Sequence, residues 1–533
     1  MLKEFVKKLA KTKINSKEEL MLTKRKLSRK LKTTIFSNAQ ILQEYQQLLN
    51  AGEIKKNLKL EKILRKRAIR TLSGIAPVAV LTKPFPCPGK CAYCPTEKNV
   101  PQSYLSNEPA VMRAIRCKYN PFVQIQARLK ALEINGHKPN KIELIVIGGT
   151  WSVLPNKYKY WFIKECFRGA NTYNQKNTTK NKSSYSQSSL TKLKEELKYE
   201  QQKNESAQYR IVGLTLETRP DYIDDKELKQ MRELGCTRVE LGVQAIDNKI
   251  LKINRRGHEI KEIIKATQLL RNYGFKITYH LMPGLPGSTP QKDLQMFKQI
   301  FSCPNFQPDQ IKFYPTVVTK GSLLYKWWKN GKYIPYSDET LRKLIIECKK
   351  IVPPYVRIIR LIRDIPEESI IAGNKITNLR QIMLLQGVKC SCIRCREARD
   401  KKFNLKEAQL NIIKYKVKGG EENFLQFESK DKKTLFGFCR LFLPQKDNPT
   451  SLIPKNSALI RELHVYGELI PPGGGKKIQH SGLGKKLMLT AEKLAQKHNF
   501  KYLTVISGVG VRNYYRRLGY RLFKTYMIKK LNK

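Results

Sequence analysis

Short apolar runs alternate with amphipathic stretches through the middle of the chain. The runs are rich in β-branched residues and predict six strands, at 78–81, 142–147, 211–216, 238–242, 276–280 and 310–314. Strands that alternate with helices are typical of a parallel α/β sheet, either a barrel or a partial barrel, and we expect it to occupy residues 76–385. In such barrels the chemistry lies at the C-terminal ends of the strands. Polar residues that directly follow these runs are therefore candidates for an active site.

Other segments depart from this pattern. In residues 1–75 apolar residues recur at helical spacing among many basic residues, which predicts a basic helical segment. Residues 171–208 are rich in Asn, Gln, Ser, Thr and Lys, and this composition predicts a mobile insertion. A cysteine-rich linker follows at 386–415. The pattern then changes to antiparallel strands followed by helices, so residues 416–533 are predicted to form a separate α+β domain.

The charge of the chain indicates a polyanionic partner. Lys and Arg number 103 and Asp and Glu 44, a formal net charge of +59. Residues 1–75 alone carry 20 basic and 6 acidic side chains, a local net charge of +14. RNA or DNA is the commonest partner of such a field, while a lysine-rich genome bias or a solvated charged face is the alternative. The groups at 24–26 and 65–67 favour a phosphate-binding surface.

The sequence predicts a cytoplasmic protein. Its apolar runs are all shorter than the roughly 18 residues of a membrane span. The N-terminus lacks the apolar region of a secretion signal. The 12 cysteines are unevenly spread, and six of them form two tight clusters, which is typical of metal sites in a reducing compartment.

The first cluster consists of Cys87, Cys91 and Cys94, at the spacing C-x3-C-x2-C. Three thiolates in one short loop can bind three irons of a [4Fe–4S] cluster and leave the fourth iron open to a small molecule. A zinc knuckle is the alternative, but zinc sites usually show a second cysteine pair roughly 12 to 20 residues on, and only Cys117 follows here. The loop resembles the signature of radical S-adenosylmethionine (SAM) enzymes, in which SAM takes the open iron.

Glycines and polar residues follow the predicted strands where this resemblance implies SAM binding. Two glycines after the second strand allow a ligand to approach the backbone closely, although alone they are as typical of a plain turn. In radical SAM enzymes an acidic residue follows such glycines, and this chain has Thr150 instead. The acidic and amide side chains after later strands are equally compatible with the polar filling of a barrel. The candidates for SAM binding are Gly148, Gly149, Thr150, Glu217, Glu240 and Gln244, and Lys312 is a candidate catalytic residue.

The second cluster consists of Cys390, Cys392 and Cys395, at the spacing C-x-C-x2-C beside basic residues. This spacing suits a structural metal, and zinc fits best. The sequence does not identify a fourth ligand, for which Cys303 or a histidine is a candidate.

A second ligand signature lies near the C-terminus. The form Gln-x-x-Gly-x-Gly at Gln479, Gly482 and Gly484 opens a predicted helix and surrounds a pyrophosphate with backbone N–H groups. It resembles the acetyl-CoA loop of GNAT acetyltransferases. Two adjacent tyrosines, Tyr514 and Tyr515, lie on the last predicted helix. Adjacent helical positions point about 100° apart, so one of the two is expected to face the ligand and the other the core.

In this order the motifs resemble the catalytic subunit of Elongator, a family that fuses a radical SAM domain with a TIM-like partial barrel to a GNAT-type domain. The resemblance covers roughly residues 75–533, and the compact cysteine spacing is similar to that of a prokaryotic-type member. The matching runs are Cys91–Pro95, Ser103–Tyr104, Glu108–Arg116, Gly148–Thr150, Glu217–Asp221, Gly242–Gln244, Arg256–His258, Arg461–Gly467, Ile506–Gly510 and Asn513–Tyr515.

The resemblance implies an enzyme that modifies the wobble uridine of tRNA. A SAM-derived radical would take hydrogen from the methyl group of acetyl-CoA, the carbon radical would add to C5 of the uridine, and hydrolysis of the thioester would leave 5-carboxymethyluridine. The implied partners are the tRNA anticodon stem-loop, acetyl-CoA and an electron donor, with either a homodimer or Elongator-like accessory subunits as the assembly. The residues it assigns to acetyl-CoA are His464, Val465, Gln479, Gly482, Leu483, Gly484, Lys485 and Tyr515, and those it assigns to catalysis are Lys312, Tyr514 and Tyr515.

Two other functions are weighed against this one. The first is a protein lysine acetyltransferase of the histone type, in which the iron–sulfur cluster is structural and Glu462 is the general base. The second is an RNA-binding scaffold without activity, against which the open iron of the three-cysteine loop argues.

Overall fold

The computed structural model describes residues 1–65, 74–175, 185–376, 378–398, 407–445, 450–466 and 482–531. Within these ranges the chain forms an N-terminal helical unit, a parallel sheet covered by helices, and a mostly antiparallel sheet. No helix among the described residues is both long and apolar enough to cross a membrane.

The N-terminal unit is built from four short helices with a hydrophobic core of their own. They are α1 (Leu2–Lys11), α2 (Lys17–Lys30), α3 (Asn38–Asn50) and α4 (Leu58–Leu64). Phe5 and Tyr45 are fully buried in this core. Lys24 is buried as well and donates a hydrogen bond to Asn38, so it cannot belong to the predicted phosphate-binding surface, whereas its neighbours at 25 and 26 are exposed. Of the predicted group at 65–67, the last two residues lie outside the described residues.

Seven parallel strands form the first sheet, in the order β1-β2-β3-β4-β5-β6-β8. All six predicted strands are present, and the predicted partial barrel is confirmed. The seventh strand, β8, was not predicted because its four residues have arginine at both ends. The strands are β1 (Ala76–Leu81), β2 (Lys141–Ile147), β3 (Arg210–Thr218), β4 (Arg238–Gln244), β5 (Lys276–Leu281), β6 (Gln310–Phe313) and β8 (Arg357–Arg360).

Helices cover the sheet. A separate two-stranded ribbon pairs the segment after β6 with the segment after β8. The helices are α5 (Pro109–Arg116), α6 (Pro121–Ile134), α7 (Asn156–Asn171), α8 (Leu190–Asn204), α9 (Asp225–Glu233), α10 (Asn248–Ile253), α11 (Ile260–Asn272), α12 (Pro290–Ser302), α13 (Leu323–Lys329), α14 (Asp338–Ile351), α15 (Leu379–Leu385) and α16 (Ile393–Arg396). The ribbon pairs β7 (Val318–Thr319) with β9 (Ile370–Ala372).

Helix α8 lies within the segment that was predicted to be a mobile insertion, and for residues 190–204 that prediction is wrong. Leu193 and Leu197 are buried in the main core at helical spacing, and Ser189 caps the helix. The helix also fixes the next strand, because Asn204 accepts a hydrogen bond from the backbone of Ile211. The segment is polar in average composition, but these two leucines lie on one face of the helix, and that face is buried. Residues 176–184 of the segment lie outside the described residues.

The second sheet has seven strands in the order β10-β11-β12-β13-β14-β16-β15. It begins at Gln409, a few residues before the predicted boundary at 416, and its predicted α+β character is confirmed. Its strands and helices are β10 (Gln409–Val417), β11 (Gly420–Glu428), β12 (Leu435–Pro444), β13 (Ser457–Val465), α17 (Leu483–Lys497), β14 (Tyr502–Val505), α18 (Arg512–Arg516), β15 (Arg521–Phe523) and β16 (Tyr526–Lys530).

The two sheets share one hydrophobic core and a set of buried charges. Asp309, next to β6 of the first sheet, is fully buried and ion-paired with Arg440 and Arg461 of the second. Elsewhere the carbonyl oxygen of Val212 in β3 lies so close to Gly508 that a side chain there would clash. The second sheet is therefore fixed against the wall of the barrel.

Candidate active site

A single cavity of about 1950 Å³ extends from the interior of the barrel to the second sheet. Its barrel end is lined by the three cysteines of the first cluster and by the predicted polar residues at the strand ends. Its other end is lined by Phe438, Glu462, His464 and Tyr466 of the second sheet. A molecule that enters the cavity can therefore contact both domains.

The cysteine loop lies beneath two buried arginines. The guanidinium of Arg256 is 3.3 Å from the Cys91 sulfur and that of Arg219 is 3.9 Å from it. A hydrogen bond from the Cys94 thiol, together with these positive charges, lowers the pKa of Cys91 to about 4. Asp221 holds Arg219 in place through an ion pair at 2.8 Å. The surroundings therefore favour the thiolate, the form that binds iron.

The three cysteines are not gathered around a single ion. Cys91 and Cys94 share a hydrogen bond, whereas Cys87 lies with its sulfur 3.8 Å from the hydroxyl of Thr150. Among the described residues the three do not form a group of ligand atoms within 4.8 Å of one another. Three thiols of one loop, each able to bind a different iron, are the donor set that a [4Fe–4S] cluster with one open iron requires. The residues present therefore fit such a cluster.

At the strand ends, four side chains form a continuous polar network. Glu240 is almost completely buried and accepts hydrogen bonds from His280, at 2.8 Å, and from the Lys312 ammonium. The other ring nitrogen of His280 is 3.3 Å from Glu217. Burial would raise the pKa of Glu240, but the charge of Lys312 and the His280 bond hold it well below its usual value.

One oxygen of Glu240 in this network already has a cation as its partner. Glu217, Glu240 and His280 have ligand atoms within 4.8 Å of one another, a spacing that would also suit an ion. The ammonium of Lys312, however, already pairs with the same Glu240 oxygen that binds His280. Tyr104 extends the network through a hydrogen bond to Glu217 at 3.0 Å. Neither His280 nor Tyr104 is among the predicted site residues, although His280 ends a predicted strand.

The glycines after β2 have the backbone that their predicted role requires. Gly148 and Gly149 have φ values of 133° and 99°, and a side chain on Gly148 would clash with Thr82. Gly149 and Thr150 line the cavity. Gln244 also lines it with a positive φ of 69°, and its side-chain oxygen accepts no hydrogen bond from the described residues. An unpaired buried acceptor of this kind suits a bound polar ligand such as SAM.

In the second domain, β13 extends beyond the end of β14. The two strands pair in parallel as far as Ile460 and Val505, where β14 ends, and β13 then continues to Val465 paired only with β12, which leaves an opening on its other side. Helix α17 begins beside this opening, with Gly482 as its N-cap at a φ of 79°. The hydroxyl of Tyr514 lies within 2.7 Å of where a side chain on Gly484 would begin.

Of the tyrosine pair, Tyr514 is the one that reaches this opening. Tyr515 is only 6% exposed and packs against Tyr514 and Tyr520. The side chain of Leu483 is likewise buried, so only its backbone can meet a ligand, whereas Lys485 is exposed. Gln479 lies outside the described residues.

The geometry of Glu462 does not suit a general base. Its carboxylate is 3.0 Å from Arg440 and 3.3 Å from Lys276. Burial would raise its pKa, but these two charges lower it to about 2. A carboxylate held this strongly ionised has little tendency to take a proton from an amine.

The second cysteine cluster is compact. The sulfurs of Cys390, Cys392 and Cys395 lie within 4.8 Å of one another. Backbone and side-chain bonds hold the segment on β8, since Ile393 N–H donates to Val356 and Arg394 donates to Ile359. Cys303, which was considered as a fourth ligand, is not part of this group and follows α12 near Tyr279 instead.

Comparison with known proteins identifies the family. Residues 86–300 match the model of the radical SAM superfamily, and residues 308–387 match that of the radical SAM C-terminal domain. The chain is 44% identical to the tRNA uridine(34) acetyltransferase of Dehalococcoides mccartyi over 478 residues, which cover 88% of this chain and 100% of that protein. It is 37% identical to Elongator complex protein 3 of Homo sapiens over 491 residues, 88% of this chain and 86% of that protein.

A solved structure is similar over the same region. The archaeal Methanocaldococcus infernus Elp3, with an N-terminal deletion of residues 1–46, superposes with a TM-score of 0.72 at 38% identity. The match covers 86% of this chain and 99% of that one. The chain therefore belongs to the radical SAM family that includes the tRNA uridine(34) acetyltransferases and Elongator complex protein 3.

Proposed function

We propose that this protein modifies the wobble uridine of tRNA with the acetyl group of acetyl-CoA and forms 5-carboxymethyluridine. The observation that carries the proposal is the single cavity, which is lined by the three cysteines at one end and by Glu462, His464 and Tyr466 of the second domain at the other. The names of the relatives and the net charge of +59 support a tRNA substrate. A tRNA substrate also implies that the enzyme works in the cytoplasm.

The reaction replaces the hydrogen on C5 of uridine by a carboxymethyl group. When bound, the [4Fe–4S] cluster supplies one electron for the cleavage of SAM, and this electron comes initially from an external donor. Overall, SAM, acetyl-CoA, water and uridine give methionine, 5′-deoxyadenosine, CoA, the carboxymethyl product and two protons. SAM is thereby reduced, and the new carbon–carbon bond accounts for the matching oxidation.

The residues of the barrel would bind and orient the reactants. Cys87, Cys91 and Cys94 would hold the cluster, and the backbone at Gly149 together with Gln244 would hold SAM. Glu240 raises the pKa of Lys312 against the opposing effect of burial, so the ammonium keeps its proton. The ammonium would donate a hydrogen bond to a carbonyl oxygen of the thioester or of the base. Tyr514 and the N-terminus of α17 would hold the acetyl-CoA end.

A labelling experiment tests the proposed function. The anaerobically reconstituted protein is incubated with tRNA transcript, SAM, a reductant and acetyl-CoA labelled with ¹³C in the acetyl group, and the nucleosides are analysed by mass spectrometry. We expect labelled 5-carboxymethyluridine from a transcript with uridine at the wobble position, and no product when that base is cytidine. Label on protein lysines instead of on tRNA would favour the acetyltransferase alternative, against which the ion-paired Glu462 argues.

Acetyl-CoA binding is predicted to depend on Gly484. A glutamate at this position would meet the hydroxyl of Tyr514 and bring a negative charge to the phosphate site. Calorimetry of Gly484→Glu should show the loss of measurable acetyl-CoA binding, while the iron content of the protein is unchanged. Leu489→Glu is the matched control, because it adds the same charge to an exposed position of the same helix. Wild-type affinity in Gly484→Glu would show that the loop is only a turn.

The N-terminal unit is proposed to bind the phosphates of tRNA. Lys26 and Lys30 are exposed one turn apart on α2, and each phosphate contact contributes about 0.7–0.9 to the slope of log K against log salt. Replacement of both by glutamine should weaken tRNA binding more than about ten-fold at low salt and flatten that slope by about 1.4–1.8 in fluorescence anisotropy titrations. Lys493 and Lys497, an exposed pair at the same spacing on α17, provide the control. Equal effects of the two pairs would mean that only net charge matters.

The second cysteine cluster is proposed to hold a structural zinc ion. The compact arrangement of Cys390, Cys392 and Cys395 fits zinc–thiolate coordination, and the segment connects β8 to the second sheet. We expect elemental analysis of the purified protein to give about one zinc per chain. Cys390→Ser should lower both the zinc content and the melting temperature, whereas a full zinc content in that variant would refute the assignment.

A further inference from the structure

A second pocket, of about 410 Å³, lies outside the catalytic cavity. One wall is the loop 284–288 that follows β5, and the other is α13 with the segment after it. Its lining includes three aromatic side chains, those of Trp327, Tyr333 and Tyr336, together with Ile253 and Ile334. Neither the radical chemistry nor the acetyl-CoA site uses these residues.

The aromatic rings of this pocket are held in place by their hydroxyl groups. Tyr333 donates a hydrogen bond to the carbonyl oxygen of Gly284 at 2.7 Å, and Tyr336 donates one to Asp293 at 2.9 Å. Asp293 also accepts from the Gly284 N–H at 2.8 Å. A side chain on Gly284 would begin 3.3 Å from the Tyr336 ring, so glycine leaves the ring face in close contact with the backbone. The pocket is therefore preformed.

The helices that line the pocket are rich in basic residues. Exposed cations lie on or directly after both of them, and Lys332 itself lines the pocket, while Asp293, which holds Tyr336, is buried in hydrogen bonds. Ile334, at 81% exposure, is an apolar contact surface beside them. The cations are Lys249, Lys252 and Arg255 on and after α10, and Lys326, Lys329 and Lys332 on and after α13.

Aromatic side chains flanked by helices with exposed cations match the chemistry of a nucleotide. Unpaired bases stack on aromatic side chains with little dependence on sequence, and nearby lysines bind the phosphates. A pocket of this volume can also enclose one base with its sugar. Lys332 in the lining and the exposed cations on the two flanking helices are complementary to phosphates, so the charge favours RNA over a protein partner.

The pocket is connected to the cysteine loop by hydrogen bonds. The backbone N–H of Ala92, next to Cys91, donates to Asn254 at 3.0 Å, and its carbonyl oxygen accepts from Leu324 at 2.7 Å. Asn254 in turn donates to Pro286 in the pocket wall at 2.9 Å. Both walls of the pocket are thus bonded to the loop that carries the cluster ligands.

We propose that this pocket binds an unpaired nucleotide of the substrate RNA, different from the one that is modified. The proposal rests on the tRNA function argued above and extends it with a second contact, by which the barrel recognises unpaired RNA. Phosphate contacts alone would not distinguish a loop from a duplex, whereas a stacking pocket does.

Binding measurements on the full-length protein test the proposal. A fluorescein-labelled RNA hairpin with an unpaired loop is compared by anisotropy with a fully paired RNA duplex of the same charge. Trp327→Leu should weaken hairpin binding at least about five-fold and leave its salt slope unchanged, because stacking and not a phosphate contact is lost. Trp327→Phe should retain most of the affinity. Duplex binding should be the same in all three proteins.

Two further variants guard against misfolding and general effects. Ile334→Glu changes a side chain that is 81% exposed, so the fold is retained, and it should weaken hairpin binding as well. Tyr199→Leu removes an aromatic ring that is 55% exposed on α8, beside Lys203, and should have no effect. If Trp327→Leu and Ile334→Glu bind the hairpin like the wild type, the pocket does not bind RNA, and the same result is expected if it holds a protein. If the wild type itself does not bind the hairpin, the proposed tRNA function fails instead.

Discussion

Replacement of Cys87, Cys91 and Cys94 together by serine is expected to abolish both iron binding and tRNA modification. Serine hydroxyls are poor iron ligands, and the described residues near the loop offer no other thiol in their place. The reconstituted wild type should bind about four irons and four sulfides per chain, and the variant close to none. Iron and sulfide assays measure this directly, and mass spectrometry of nucleosides measures the loss of product.

Cys117→Ser is the matched control for this variant. Cys117 is the next cysteine in the chain and is partly buried, but it follows α5 and does not line the cavity. It should leave iron content and activity unchanged. About four irons in the triple variant would show that the cluster is held elsewhere.

The strands and the polar residues that follow them were predictable because both depend on the local sequence pattern. All six predicted strands lie side by side in sequence order, so residues after consecutive runs had to meet at one edge of the sheet. That is why Glu217, Glu240 and Lys312 were correctly predicted to lie together. The positive φ values of Gly148 and Gly149 agree with the backbone freedom expected after this strand, while their part in SAM binding stays a prediction.

The partners of these residues were not predictable, because they come from distant parts of the chain. Arg256 reaches the sulfur of Cys91 across 165 positions of sequence, and Tyr104 reaches Glu217 across 113. An arginine in a loop has the same sequence signature whether it is solvated or faces a thiolate. Lys312, which pairs with Glu240, lies on a strand of the same sheet. The contact between His280 and Glu240, in contrast, is visible only in the folded barrel.

Composition also misled where it outweighed periodicity. The segment around α8 contains many polar residues, yet Leu193 and Leu197 are buried at a spacing of one helical turn. Lys24 was counted with its exposed neighbours, but its position on α2 faces the N-terminal core. In both cases one face of a helix, and not the average of the segment, determines what is buried.

Asp309 pairs with two arginines across the contact between the two sheets, and its removal is expected to cause a large loss of stability. Asp309 is fully buried, 2.9 Å from Arg461 and 3.4 Å from Arg440, and it also accepts the backbone N–H of Ile277. Loss of one partner from a buried ion pair typically costs about 3–5 kcal/mol, because the remaining charges are left with too few partners. Asp309→Ala should therefore lower the free energy of unfolding by about this amount, measured by chemical denaturation.

A control variant separates this effect from a general loss of charge. Glu339→Ala removes a carboxylate from an exposed pair with Lys343 on α14 and should leave the stability nearly unchanged, because solvent screens such pairs. Arg461 still pairs with Glu422 when Asp309 is absent, whereas Arg440 still pairs with Glu462, so the fold should survive the change in weakened form. The second sheet closes one end of the cavity, and Asp309→Ala should therefore also weaken acetyl-CoA binding. Stability equal to that of Glu339→Ala would show that packing between the sheets, and not this carboxylate, holds the two domains together.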